Sequence, residues 1–125
     1  MDRNQLLRIR PIIKKAEVNI QTSLIEQFQN ETLRPIIKFQ HDIWISWFNM
    51  HATKFKIDLN HLTSEKKFIA IQNLIGKEKD LKNQVIGMVC GYFTLAEFEN
   101  YQFNATAINK RIVGMVIERI QSVIA

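Results

Sequence analysis

From Ser23 onward the apolar positions of this chain fall at helical spacing. One line runs Ile25, Phe28, Thr32, Ile36, Phe39, Ile43, Trp47 and Met50, and a second runs Leu33, Ile37, Trp44, Phe48 and Phe55. At about 100° per residue the two lines are neighbours on one helix and together cover an arc of roughly 200°, twice the usual stripe. Glu31, Lys38, Asp42, Asn49, Thr53 and Lys56 fill the opposite side. The pattern predicts a central helix from 23 to about 57, buried against more than one neighbour. Ser23 and Glu26 are spaced as a capping box at its start. Pro35 falls on the polar side of the wheel. It removes a backbone donor and crowds the Glu31 carbonyl, so a kink is expected there that wraps the helix around its core.

Asp58 to Leu62 shows no helical period and reads as a turn. Thr63 is placed to cap a second helix whose apolar face is Phe68, Ile71, Leu74 and Ile75, with Gly76 at its end. A third runs from about Asp80 to Phe93 with Leu81, Val85, Met88, Val89 and Tyr92 inward. Thr94 and Glu97 form a second capping box. It opens a fourth helix through Leu95, Phe98, Tyr101, Ala105, Ile108, Ile112, Met115, Val116, Ile120 and Val123, with Phe103-Asn104 the place where it would be interrupted. Residues 1–21 keep no long period. Pro11 biases Arg10 to an extended backbone, and the aliphatic residues there call for burial. The reading is an all-α protein: a single four-helix, bundle-like domain over residues 22–125 with a kinked central helix, and an N-terminal arm over 1–21 that carries a short helix at 3–9. Four glycines and two prolines are too few turn residues for a sandwich or barrel of 125 residues.

Composition narrows the setting. The longest apolar stretch, Val85 to Phe93, has nine residues, two of them glycine, against the roughly 20 a membrane helix needs. The first residues, Met1-Asp2-Arg3-Asn4-Gln5, lack the apolar run of a secretory leader, and a single cysteine, Cys90, suits a reducing compartment. A cytoplasmic protein without membrane attachment is expected. The net charge of +5 is uneven. Residues 1–40 hold seven basic and four acidic side chains, residues 41–82 seven and five, and residues 83–125 three and three. No basic pair is interleaved with aromatics as in a base-stacking surface, so nucleic acid is an unlikely partner, bound weakly at most.

Residues of catalytic type are sparse. On one helix His41 and His51 would lie about 15 Å apart along the axis, too far to share a metal. Asp58 and His61 are two ligands at best. No phosphate loop, nucleophile elbow or dinucleotide motif occurs. No catalytic, metal or cofactor residue is assigned and no cofactor is expected. Cys90, in the most apolar segment, reads as a structural thiol. Gly87 and Gly91 share one helix face and are expected to let a neighbouring helix approach inside the bundle.

Three stretches carry a resemblance: Leu33-Arg34-Pro35-Ile36-Ile37-Lys38-Phe39-Gln40, Phe93-Thr94-Leu95-Ala96-Glu97-Phe98, and Asn109-Lys110-Arg111-Ile112-Val113-Gly114-Met115-Val116-Ile117-Glu118-Arg119. In these the chain resembles a family of short bacterial proteins, some of which carry the name glyoxalase, over most of its length. The name implies a lyase activity. Glyoxalases present metal ligands either from βαβββ modules or from a dense His/Asp motif; the chain has neither pattern, so the resemblance transfers no site residue.

A small domain has difficulty covering an apolar arc of 200°, and uncovered apolar area marks a partner site. Trp44, Trp47 and Phe48, within about 100° of one another, are therefore the candidate interface, for a homodimer or a protein partner. The function expected is a small non-enzymatic protein-binding or assembly module. The alternatives are a glyoxalase-type lyase or a weak nucleic-acid binder.

Overall fold

The computed structural model describes residues 2–12 and 23–125, and among these it holds seven α-helices and no strand. The protein is all-α. Residues 13–22, which include the expected arm–domain boundary, lie outside the described residues.

The long first helix is built from pieces. α1 (Leu24–Phe28) passes directly into a π turn (Gln29–Leu33), then α2 (Arg34–Phe39), and after Gln40 into α3 (His41–Lys54). The Ser23 side chain accepts the Glu26 N–H, the N-terminal half of the expected box. The π turn lies just ahead of Pro35. There the Arg34 N–H reaches back five residues to the Gln29 carbonyl. The wider turn accommodates a proline that would crowd a regular helix.

The same turn rotates the buried face. On an unbroken wheel the buried residues ahead of it, Phe28 and Thr32, lie about 120° from the centre of the buried set beyond it, Ile36, Ile37, Trp44, Trp47 and Phe48; one inserted residue accounts for about 100° of that step. Two expectations change. Pro35 is buried, where the regular wheel placed it on the polar side. The apolar arc is two staggered stripes, and part of the first line stays in water: Phe39 is 45% exposed, Ile43 56% and Met50 58%.

α3 ends in a motif with no glycine. Lys56 adopts φ 58°, the Lys56 N–H donates to the Thr53 carbonyl and the Ile57 N–H to the Ala52 carbonyl. This is a Schellman cap with lysine in the left-handed position. A short 3₁₀ turn (Leu59–His61) leads to α4 (Ser64–Lys77), capped by Thr63. α5 (Lys79–Cys90) follows, then α6 (Leu95–Phe103) behind the complete Thr94–Glu97 capping box. Asn104 interrupts the expected fourth helix, and α7 (Ala105–Ile124) completes the domain. On α4 the core side is Ile71, Leu74 and Ile75, whereas Phe68 is half exposed.

The central position belongs to α7. Its buried side chains Ile108, Ile112, Val116, Ile117, Ile120 and Gln121 pack among α2, α3, α4, α5 and α6. The sequence pattern assigned that place to the 23–57 helix; each stripe of that helix is narrower than the combined arc implied.

The N-terminal residues are fastened by charge. A 3₁₀ helix (Arg3–Ile9) buries Leu6, and Arg10 is extended ahead of Pro11. The Arg3 guanidinium donates to the Phe93 carbonyl at 3.0 Å and to the Gly91 carbonyl at 2.9 Å. Arg10 grips both oxygens of Glu97 at 2.7 and 2.6 Å and also donates to the Tyr92 carbonyl. Glu97 accepts further bonds from the Thr94 N–H at 2.9 Å and the buried Thr32 hydroxyl at 3.1 Å. One carboxylate thus joins the arm, the π turn and the start of α6. Burial pushes the Glu97 carboxyl up, but the bonds from Arg10, Thr94 and Thr32 and the Arg10 charge outweigh it, leaving the pKa below the ordinary value.

Two predictions follow from this packing. A carboxyl held below its unfolded pKa contributes stability that is complete above the unfolded value and is lost as pH falls through the folded one. Arg10→Ala is expected to cost about 1–3 kcal/mol at neutral pH and to flatten the acid limb of stability, read from urea melts at a series of pH values. At the α3 cap, Lys56→Gly relieves the left-handed conformation and is expected to raise stability by up to about 1 kcal/mol, measured by thermal melting.

Candidate functional site

The structure places all three residues of the expected interface in the core. Trp44 and Phe48 are 0% exposed and Trp47 is 8% exposed. Trp44 donates its indole N–H to the Ile37 carbonyl at 3.2 Å, and Trp47 donates to Gln84 Oε1 at 3.1 Å. The two indoles meet edge to face at 6.2 Å, and Trp47 lies 4.8 Å from the buried His51 ring. Assigning these side chains to a docking surface is therefore corrected. The rotation at the π turn points them inward, where their N–H groups find acceptors.

The surface lies immediately outside them. α3 and α5 are joined through side chains: Trp47 reaches Gln84, and the Gln40 amide just ahead of α3 donates to the Met88 carbonyl at 3.0 Å. By helical angle, Ile43 and Met50 flank this seam on the α3 side and Gly87 and Gly91 on the α5 side. The Phe39 and Tyr92 rings close one end, edge to face at 5.7 Å. Gly87 and Gly91 are both exposed, and a Cβ added to Gly87 would meet nothing within 4 Å. The expectation that this pair admits a helix inside the bundle is corrected: the pair borders an open strip. Side chains on this face run from Phe39, Ile43, Ser46 and Met50 across to Gln84 and Tyr92, with the exposed Lys54 of α3 and Asp80 of α5 in line with them at the other end.

Groups with chemical potential are scattered. Among the described residues no three of His, Cys, Asp and Glu come together as a metal site. Cys90 is half-buried, and burial pushes its thiol up. The Tyr101 hydroxyl donates to Asn109 Oδ1 at 2.5 Å, and its own pKa is raised, chiefly by burial. Asp58 and His61 are paired on the surface at 2.5 Å, away from other ligand types. No helix among the described residues is long and apolar enough to cross a membrane.

No family model, curated protein or solved structure matches the chain.

The regular wheel left Trp44, Trp47 and Phe48 as the uncovered residues, whereas the structure buries them and exposes Phe39, Ile43 and Met50. The available signal was the separation of Phe39, Ile43 and Met50 from the Trp44 line, together with the glycines at 87 and 91. As a core residue, Trp44 is expected to lose about 3–5 kcal/mol of stability on truncation to Ala, measured by chemical denaturation.

Proposed function

We propose that this protein is a non-enzymatic assembly module whose partner is a second copy of itself, docked on the α3–α5 face. One observation carries the reading: the exposed apolar stripe Phe39, Ile43 and Met50 borders a strip where Gly87 and Gly91 are exposed and Gly87 leaves open space. Exposed apolar side chains grouped on one face mark association surfaces. Two copies of a chain with net charge +5 repel, and this face, whose exposed Lys54 and Asp80 carry opposite charges, adds no net charge to that repulsion. The arrangement is also self-complementary. Under a two-fold axis the protruding Ile43 and Met50 of one protomer cover the flat glycine strip of its partner, and the reverse contact forms at the same time. A glycyl surface lets helices approach closely, which favours dispersion contacts over polar ones.

Sedimentation equilibrium over a micromolar-to-millimolar series, on the order of the Kd range of a modest homodimer, tests this. Wild type is expected to shift to dimer, and Met50→Glu or Gly87→Glu to remain monomeric with an unchanged circular-dichroism spectrum. A wild type that stays monomeric throughout refutes the reading, as does a dimer that both substitutions leave intact.

A further inference from the structure

A second feature lies on another side of the molecule, between α2 and α7. A cavity of about 300 Å³ opens there between Arg34 of α2 and Arg119 of α7. Its apolar lining comes from Ile37, which is buried, and Met115. Glu118 is the one carboxylate on it, and among the described residues it pairs with no Lys or Arg nitrogen within 4.0 Å.

Arg119, on the cavity, and Arg111, outside its lining, are each held by a neutral acceptor, whereas Arg34 is exposed. Arg119 Nη1 donates to His41 Nδ1 at 3.2 Å, so the imidazole presents a lone pair there. Arg111 Nη1 donates to Gln29 Oε1 at 2.6 Å. With its oxygen engaged, Gln29, which lines the cavity, has its amide N–H groups left to offer. These contacts orient donors while leaving their charge uncompensated. Arginine forks so held match the planar oxygens of carboxylates and phosphates, and a partly apolar wall strengthens the attraction. The remaining polar groups complement a different kind of atom. Ser122 gives its hydroxyl hydrogen to the Arg119 carbonyl at 2.6 Å, so its oxygen, like the Glu118 carboxylate, accepts.

We propose that this cavity is a binding site for a small oxyanion that also carries a hydroxyl group, its carboxylate or phosphate held by Arg34, Arg119 and Gln29, and its hydroxyl donating to Glu118 or Ser122. The site is independent of the α3–α5 face and stands or falls separately from self-association.

The test is a titration of ¹⁵N-labelled protein followed by the arginine Nε–H and Gln29 amide signals. The probes are glycerol 3-phosphate, malate, inorganic phosphate and sodium chloride at matched ionic strength. A saturable shift of the Arg34 and Arg119 signals with glycerol 3-phosphate or malate, with Kd on the order of 1 mM or below, is expected. Saturation by glycerol 3-phosphate alone assigns the phosphate form of the ligand, and saturation by malate alone the carboxylate form. Arg34→Gln and Arg119→Gln should each weaken binding at least about tenfold. Arg34 is exposed, so its variant tests the site even if the Arg119 variant misfolds. Shifts that stay linear with both organic probes, that sodium chloride reproduces, that inorganic phosphate alone produces, or that survive in Arg34→Gln overturn the proposal.

Discussion

The packing of α7 is the constraint on which the domain depends. Its twenty residues present Ile108, Ile112, Val116, Ile117 and Ile120 on one side, at the spacing that keeps side chains in register along a helix. α2 through α6 reach the core by contacting this one rod. Even its buried polar residue is used: Gln121 donates to the Phe68 carbonyl at 3.1 Å and to Gln72 Oε1 at 3.3 Å, tying α7 to α4. Branched aliphatic side chains with few rotamers suit a rod that meets so many neighbours, because little side-chain freedom is lost on packing.

Around that rod the π turn decides which face of the first helical run meets the core. Without it Phe28 and Thr32 would share a stripe with Phe39, Ile43 and Met50. With it the later apolar residues divide, and Trp44, Trp47 and Phe48 turn inward. Thr32, held in the turn, reaches Glu97, while the outer apolar residues are left beside a glycine strip on α5. Core, polar clasp and surface stripe therefore share one local cause.

Charge is used unevenly. Arg10 is matched to a carboxylate with both oxygens engaged, and Arg3 to backbone carbonyls at the C-terminal end of α5, where the helix dipole favours a cation. Arg111 and Arg119 instead donate to neutral side chains, Gln29 and His41, beside a cavity that Arg119 and Gln29 line. The first pair fastens the arm and the second keeps its charge available. The α3–α5 face, with one exposed charge of each sign, is a third region, distinct from both.

How much of this was legible in the chain differs by feature. Helix-forming stretches and the Ser23, Thr63 and Thr94 caps were readable, because they depend on residues three or four apart in sequence. The break at Phe103-Asn104 was visible for the same reason, as was the extended Arg10 before Pro11. The Lys56 cap was hidden: glycine signals a left-handed residue and lysine does not. Trp44, Trp47 and Phe48 stood out as large apolar side chains close together, yet a wheel at constant pitch cannot locate a π turn, and one added residue decides which side of the helix faces water. The Arg10–Glu97 clasp spans 87 residues and the Arg119–His41 contact 78, so no local pattern announces either. The sequence alone determined the helical class and most helix boundaries, since those follow from short-range periodicity and capping. The tertiary structure decided the identity of the central helix, the exposed face and the partners of each arginine, since those depend on which distant surfaces compete for the same burial.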